Sequence, residues 1–359
     1  MAKPRRITFT EEFEPVLLNA WGAYQERLEG SLLGRTRAAV TEIRRLYRFK
    51  DTPYPSLLDY SQARYRAGYL SAFGQRHAYL PYAHLKQVQE QFPDAIPEPD
   101  TAGELSVTVL GAAAAVEVYG VVLFYNEVSH RLKRLRLNLV EKVSEWKPTR
   151  YLVFDLLKRK FPRLDIISND IDVDLTQESC VQKFANYHDE LVKTRILLVY
   201  NVLNEMEVQY RRMIYRNLSY IIRQSQDPLL LLLAEPTAIK AWSRIRWLRE
   251  QLMRCSRVLI DDLDAEIDFT TEPTRIAFEG TGDGLNDRLF GRSMDSSRPV
   301  LQTSLKRRMM ACVIEPLSPL SREQVYDQIR QLGRKRTSKG RFMPQQRDGG
   351  SQLPLIIGL

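Results

Sequence analysis

The apolar positions of this chain change their period near residue 100. Before it they recur at helical spacing: Phe13, Val16, Leu17, Ala20, Trp21 and Tyr24 share one face of a stretch from about residue 10 to 46. Such a face requires a partner surface. Pro53 and Pro55 interrupt the pattern. Beyond residue 100, short apolar runs alternate with helical segments. Residues 105–110 form the first run and break into 111–117 before an apolar helix that reaches Phe124. Residues 135–141 form the second run, 164–168 the third, leading into an acidic turn over 169–174, and 194–199 the fourth, ending in 200–205. Residues 205–224 return to helical spacing. The unbroken leucines 229–233, closed by Pro236, read as a parallel strand buried on both faces. A helix over 242–253 follows, and 275–278 and 309–314 are the candidates for the last two strands.

Strands alternating with helices predict an α/β fold: a doubly wound, mostly parallel, seven-stranded Rossmann-like sheet behind a helical N-terminal cap. The divisions fall at 1–100 for the cap region, 101–318 for the sheet domain, and 319–359 for a helix over 321–332 with a basic, disordered tail.

The carboxyl ends of the first four runs carry small or polar residues, as a nucleotide crevice requires. A strand that turns into a helix at Gly111 lets ligand atoms approach bare backbone near a helix N-terminus. Glu141 lies 25 residues beyond Val116, close to the ~20-residue offset at which an acid meets a ribose in dinucleotide folds. An ionised carboxylate only accepts hydrogen bonds and therefore suits a vicinal diol. Asp170 or Asp172 is placed to accept from a purine amino group, with Ile171 and Val173 against its face. Plainer readings stand beside these. The alanines 112–115 make a good helix start, Glu141 with Lys142 suits a solvated strand end, and the alternation of Asp170, Asp172 and Asp174 with Ile171, Val173 and Leu175 suits a half-exposed edge. No histidine lies in the acidic cluster and the EF-hand glycine and glutamate are missing, so no metal is expected.

On these residues, from about 105 to 315, the chain resembles the class I S-adenosylmethionine-dependent methyltransferases. The resemblance implies S-adenosylmethionine as cofactor. Its amino-acid end would lie along Gly111, Ala113 and Glu117, its ribose on Glu141, and its adenine by Asp170, Ile171 and Asp172. It also implies that the last two strands form an antiparallel hairpin. Tyr200 completes the cofactor crevice at the end of the fourth strand. Asn201, as orienting group, and Glu205, as proton acceptor, are the candidate catalytic residues, and Asn204 is placed to touch substrate. The glycine loop is degenerate: Gly111 stands alone, with Ala113 and Ala115 where the family commonly has glycine.

Composition narrows the partners. Lys and Arg total 53 against 44 acids, a net charge of +9. The excess gathers at 3–6, 131–136, 211–212, 306–308 and 330–341. Basic arms neutralise phosphates without choosing sequence, so RNA or a ribonucleoprotein is the expected partner; a merely solubilising tail is the plainer reading. The aromatic and basic stretch from Tyr60 to His84 includes Tyr69, Tyr79 and Tyr82. It reads as a stacking platform for unpaired nucleic acid, as a pocket for an aromatic substrate, or as a cap that packs its tyrosines on the core. His77 and His84 read as surface or capping histidines. Cys180, Cys255 and Cys312 are scattered and odd in number, which argues for a reducing compartment. No secretory signal is visible, and no apolar run approaches the ~20 residues of a membrane span. The expectation is a cytoplasmic methyltransferase acting on RNA or an RNA-associated protein. The alternatives are an inactive methyltransferase fold serving as an RNA-binding or assembly factor, and a nicotinamide-dependent oxidoreductase.

Overall fold

The computed structural model describes residues 9–23, 27–48, 58–177, 179–203, 210–236, 239–252, 256–268 and 304–314. Seven strands form one sheet: β1 (Glu104–Leu110), β2 (Arg134–Glu141), β3 (Asp165–Asp172), β4 (Ile196–Tyr200), β5 (Leu229–Pro236), β6 (Ser256–Asp268) and β7 (Ser304–Ile314). Their spatial order is β3-β2-β1-β4-β5-β7-β6. β1 to β5 run parallel, and β7 enters antiparallel between β5 and β6. The order reverses between β1 and β4, so a crevice opens outside their carboxyl ends.

Successive side chains of a strand point to opposite faces, and this period divides the core into two layers. Val107, Val109, Leu137, Leu139, Leu198, Tyr200 and Leu232 join the apolar layer that includes the cap. That layer is built with α1 (Phe9–Trp21), α2 (Gly30–Arg48), α3 (Ala63–Tyr69), α4 (Gln75–Gln91), α5 (Glu117–Val128) and α6 (Lys147–Lys160). Val140, Ile171, Leu197, Val199, Leu231, Leu233 and Met310 face the opposite layer. This second layer includes residues of α7 (Cys180–Ala185), α8 (His188–Leu191), α9 (Arg211–Gln224) and α10 (Ile239–Leu252). β5 is buried at every position from Leu229 to Glu235, as its leucines require. The cap lies close on the domain because Gly120 of α5 lacks a side chain: a Cβ there would stand 2.3 Å from the carbonyl oxygen of Ala78 in α4.

The structure revises several boundaries. The outer strand of the hairpin is Ser256–Asp268, not 275–278, which lie outside the described residues. Its acids and two register shifts, between Val258 and Ile260 and between Ile260 and Leu263, break the period-two signal. Asp170 and Asp172 belong to β3 itself rather than to a turn after it. The helix expected over 205–224 is described from Arg211 onward. Tyr24, the prolines at 53 and 55, and the tail lie outside the described residues. Two basic clusters are engaged internally. Arg131 pairs with Glu98, Arg134 with Asp165, and Arg136 with Glu104. Residues 306–308 open β7, where Arg307 is buried and Arg308 stands opposite both Asp264 and Glu235.

Candidate functional site

The loop between β1 and α5 keeps a glycine-type backbone with a single glycine. Gly111, Ala113 and Ala115 have φ of 65°, 41° and 54°, so three alternate residues occupy the left-handed region. A Cβ at Gly111 would stand 2.8 Å from Cγ2 of Val202, whereas the two alanines carry theirs at a conformational cost of ~1–2 kcal/mol per residue. The loop is held at its start by the end of β2. The N–H groups of Gly111 and Ala112 donate to the carbonyl of Val140 at 2.9 and 3.1 Å. Ala113 N–H donates to Glu141 Oε2 at 2.9 Å. Glu141 Oε1 in turn accepts from the N–H groups of Lys142 and Val143 at 2.9 and 3.0 Å.

Beside it, Arg150 of α6 is only 1% exposed. Its Nε donates to the carbonyl of Ala113 at 2.7 Å, and its Nη1 pairs with Asp170 Oδ1. One guanidinium therefore links the loop to β3. Asp172 is paired in register with Glu141 and bonded by Lys147 Nζ at 2.7 Å. Ile171 points the other way, fully buried in the opposite layer with Val173. The structure thus brings Gly111, Ala113, Glu141, Asp170 and Asp172 to one edge and sends Ile171 away from them.

Glu117 opens α5 and is buried. Burial, with a smaller contribution from the charge of Glu141, pushes its carboxyl up to about 8. At the end of β4, Tyr200 OH lies 3.0 Å from His84 Nδ1. Burial, and then the charge of Glu117, holds the Tyr200 phenol well above its usual range. Burial alone pushes the His84 imidazole down to about 3, so it is neutral. Asn201 follows with φ 57°, its N–H bonded to the Ala234 carbonyl at 2.8 Å. The next two N–H groups, of Val202 and Leu203, donate to the buried carboxylate of Glu235 at 3.0 and 2.8 Å. Asn204 and Glu205 lie outside the described residues.

The cap supplies what the sequence reading missed. A π-helical turn at Leu70–Gly74 joins α3 to α4, and Phe73 stacks on His77 with centroids 5.6 Å apart. His77 Nδ1 lies 3.0 Å from Tyr69 OH, and its Nε2 lies 3.3 Å from Asn201 Nδ2 and 3.0 Å from an Arg307 Nη2 donor. His77 and His84 are therefore buried between cap and sheet, not on the surface. Their seven-residue spacing on one helix was the available signal. Arg307 gave none, since it sits in a basic run, and Arg150 reads as an ordinary helix residue. Of the three tyrosines, Tyr69 reaches this cluster. Tyr82 instead bonds Glu127 Oε2 at 2.5 Å near the far end of α5, with Tyr79 packed against it at 5.2 Å.

Five parallel strands that reverse order between β1 and β4, closed by antiparallel β7 and β6, with a left-handed loop after β1 and an acid ending β2, form the class I S-adenosylmethionine-dependent methyltransferase fold. No protein-family profile matches the chain, and no curated protein matches it. Among solved structures it is similar to a candidate class I S-adenosylmethionine-dependent methyltransferase from Listeria monocytogenes, at 12% identity over 87% of this chain and 89% of that one, TM-score 0.35. Another is the complex of the Haloferax volcanii Trm112 methyltransferase activator with a candidate methyltransferase, at 11% identity, 68% and 96% coverage, and TM-score 0.31. A third is a DUF574 family protein from Streptomyces avermitilis, at 10% identity, 85% and 97% coverage, and TM-score 0.34. Likeness this distant adds nothing to the strand order, on which the fold class rests. Among the described residues no helix is long and apolar enough to cross a membrane.

Proposed function

We propose that this protein binds S-adenosylmethionine in the crevice outside the carboxyl ends of β1, β2 and β4 and transfers its methyl group to RNA or to an RNA-associated protein. The observation that carries this reading is the left-handed backbone at Gly111, Ala113 and Ala115, kept at two alanines despite its cost and tied to Glu141. The residues fit the group. Glu141 accepts three N–H bonds, and a carboxylate has about four acceptor sites, which leaves room for a ribose hydroxyl. Asp170 is held by Arg150 and Asp172 by Lys147, so the adenine edge meets carboxylates whose charge is already balanced.

When bound, the cofactor supplies an activated methyl group, and the protein's task is to hold the nucleophile in line and exclude water. The loop fixes the amino-acid end and Glu141 the ribose. Asn201 orients the nucleophile, with Tyr69 beside it through His77; Asn204 contacts substrate and Glu205 takes a proton. The net charge of +9 and the basic tail favour a polyanionic partner such as RNA. A cytoplasmic setting accords with the scattered cysteines.

The second reading, a noncatalytic RNA-binding or assembly factor on the same fold, is favoured by the self-satisfied acids: the acids nearest the loop already bond the protein's own groups. Incubation of the full chain with methyl-labelled S-adenosylmethionine and ribonucleoprotein extract from its source cell separates the two. Label in RNA or protein supports transfer; an unlabelled extract, with RNA still bound, supports the assembly role.

A further inference from the structure

A buried imidazole sits where two donors converge. Arg307 can only donate, and its Nη2 lies 3.0 Å from His77 Nε2. That nitrogen must therefore carry a lone pair, which places the ring proton on Nδ1, directed to Tyr69 OH at 3.0 Å. Burial first, and then the charges of Arg307 and Arg76, hold the imidazole well below its usual pKa, so it stays neutral. The same lone pair faces the Asn201 side chain at 3.3 Å. Only the Asn201 NH2 group can meet it, because the carbonyl oxygen there would oppose a lone pair. The Asn201 amide is thereby set in one orientation. Among the described residues its Oδ1 is left buried without a hydrogen-bond partner, in a residue only 8% exposed. An unsatisfied buried acceptor costs folding free energy, and Asn201 adds a left-handed backbone, φ 57°. Unusual backbone and an unmet polar group together mark a site that a ligand completes.

We propose that His77 is the positioning residue of the methyl-acceptor site: it turns the Asn201 amide so that Oδ1 accepts a hydrogen carried by the substrate's nucleophile. This rests on the methyltransferase reading above. It assigns the acceptor's chemistry as an N–H or O–H group and excludes carbon, thiolate sulfur and carboxylate nucleophiles, which present no N–H or O–H hydrogen. The nucleophile's lone pair forms the bond to the methyl carbon as the carbon–sulfur bond breaks and its electron pair passes to sulfur. The hydrogen held at Oδ1 then leaves as a proton, through water to the proposed acceptor Glu205, because an amide carbonyl is too weak a base to keep it.

The test uses the full chain with two substitutions. In His77→Gln the side-chain carbonyl can still accept from Arg307 and Asn201; His77→Phe keeps the ring and its stacking on Phe73 but offers no acceptor. S-adenosylmethionine affinity is measured by calorimetry, and folding by thermal melting. Transfer is measured at saturating labelled cofactor with source-cell ribonucleoprotein, followed by identification of the labelled atom. The expected result is equal cofactor affinity in all three proteins, transfer retained by His77→Gln, a loss of about a hundredfold in His77→Phe as for a misplaced reactant, and label on nitrogen or oxygen. Nitrogen-15 spectra of histidine-labelled wild type should show His77 as the Nδ1–H tautomer. Label on carbon, sulfur or a carboxylate, transfer by His77→Phe at the wild-type rate, or an Nε2–H or doubly protonated His77 would overturn the proposal. Wild type that binds no cofactor would instead overturn the methyltransferase reading, while the tautomer still reports on the relay itself.

Discussion

Ala113 and Glu141 are joined by one hydrogen bond of 2.9 Å, from the backbone N–H of the loop to Oε2 of the acid. The acid that ends β2 therefore shapes the loop after β1 before any ligand arrives. Two features that look independent in sequence, a small-residue turn and an acid 28 residues later, are one unit in space. Replacing Glu141 should then do more than remove a ribose contact. Glu141→Ala is expected to weaken S-adenosylmethionine binding by about 1–3 kcal/mol, the loss typical of a charged hydrogen-bond partner, and also to increase amide exchange at Ala113. Calorimetry and hydrogen exchange read the two effects separately. Unchanged affinity would remove Glu141 from the ribose site.

The left-handed alanines make a stability prediction of unusual sign. Ala113→Gly and Ala115→Gly each relieve backbone strain of ~1–2 kcal/mol but add unfolded-state entropy worth about 0.4–1 kcal/mol. Each substitution is expected to stabilise the protein by roughly 0.5–1 kcal/mol, where Ala→Gly ordinarily destabilises. Denaturant midpoints check this, and a loss of stability at either site would contradict the loop conformation.

Buried Arg150 pairs with half-buried Asp170, and loss of the acid leaves the guanidinium's buried charge uncompensated. Asp170→Ala should cost about 3–5 kcal/mol by equilibrium unfolding. Arg150→Met combined with Asp170→Leu should cost much less than the single substitution, because neither charge remains. A double variant as unstable as Asp170→Ala would show that packing, not charge, decides.

Opposite proton linkages bracket the stability optimum. The neutral His77 and His84 have folded pKa values below the histidine reference of 6.5, His84 at about 3. The unfolded chain therefore binds more protons below pH 6.5, and stability falls as pH drops from there towards 3. Glu117 is raised from 4.5 to about 8. The folded state keeps that proton longer, so its contribution, full below pH 4.5, is lost as pH rises to 8. Melting temperature should peak near pH 6.5. Glu117→Gln should flatten the decline between pH 6.5 and 8 and steepen the rise between pH 4.5 and 6.5, where the raised carboxyl opposes the histidines. A decline identical to wild type would reject the raised Glu117.

Much of the fold was legible because its signals are local. The run at 105–110, the leucines 229–233 and the helix over 242–253 all reappear within a few residues of their expected bounds. β6 was not legible: its acids fall at positions paired in register with β7, which sequence alone does not bring near, and its bulges shift the alternation. The basic run at 306–308 looked like a phosphate arm for the same reason, since Arg307 reaches His77 across 230 residues. At the site, the loop and its acid could be read from position. The histidine relay could not, because it exists only where α4 meets the end of β4.

The most direct measurement is calorimetric titration of the purified, ligand-free full chain with S-adenosylmethionine and, separately, S-adenosylhomocysteine. Micromolar binding of both, lost or strongly weakened in Glu141→Ala, is the predicted result. No binding at millimolar ligand would contradict a working cofactor crevice and leave the fold as a scaffold for RNA binding or assembly.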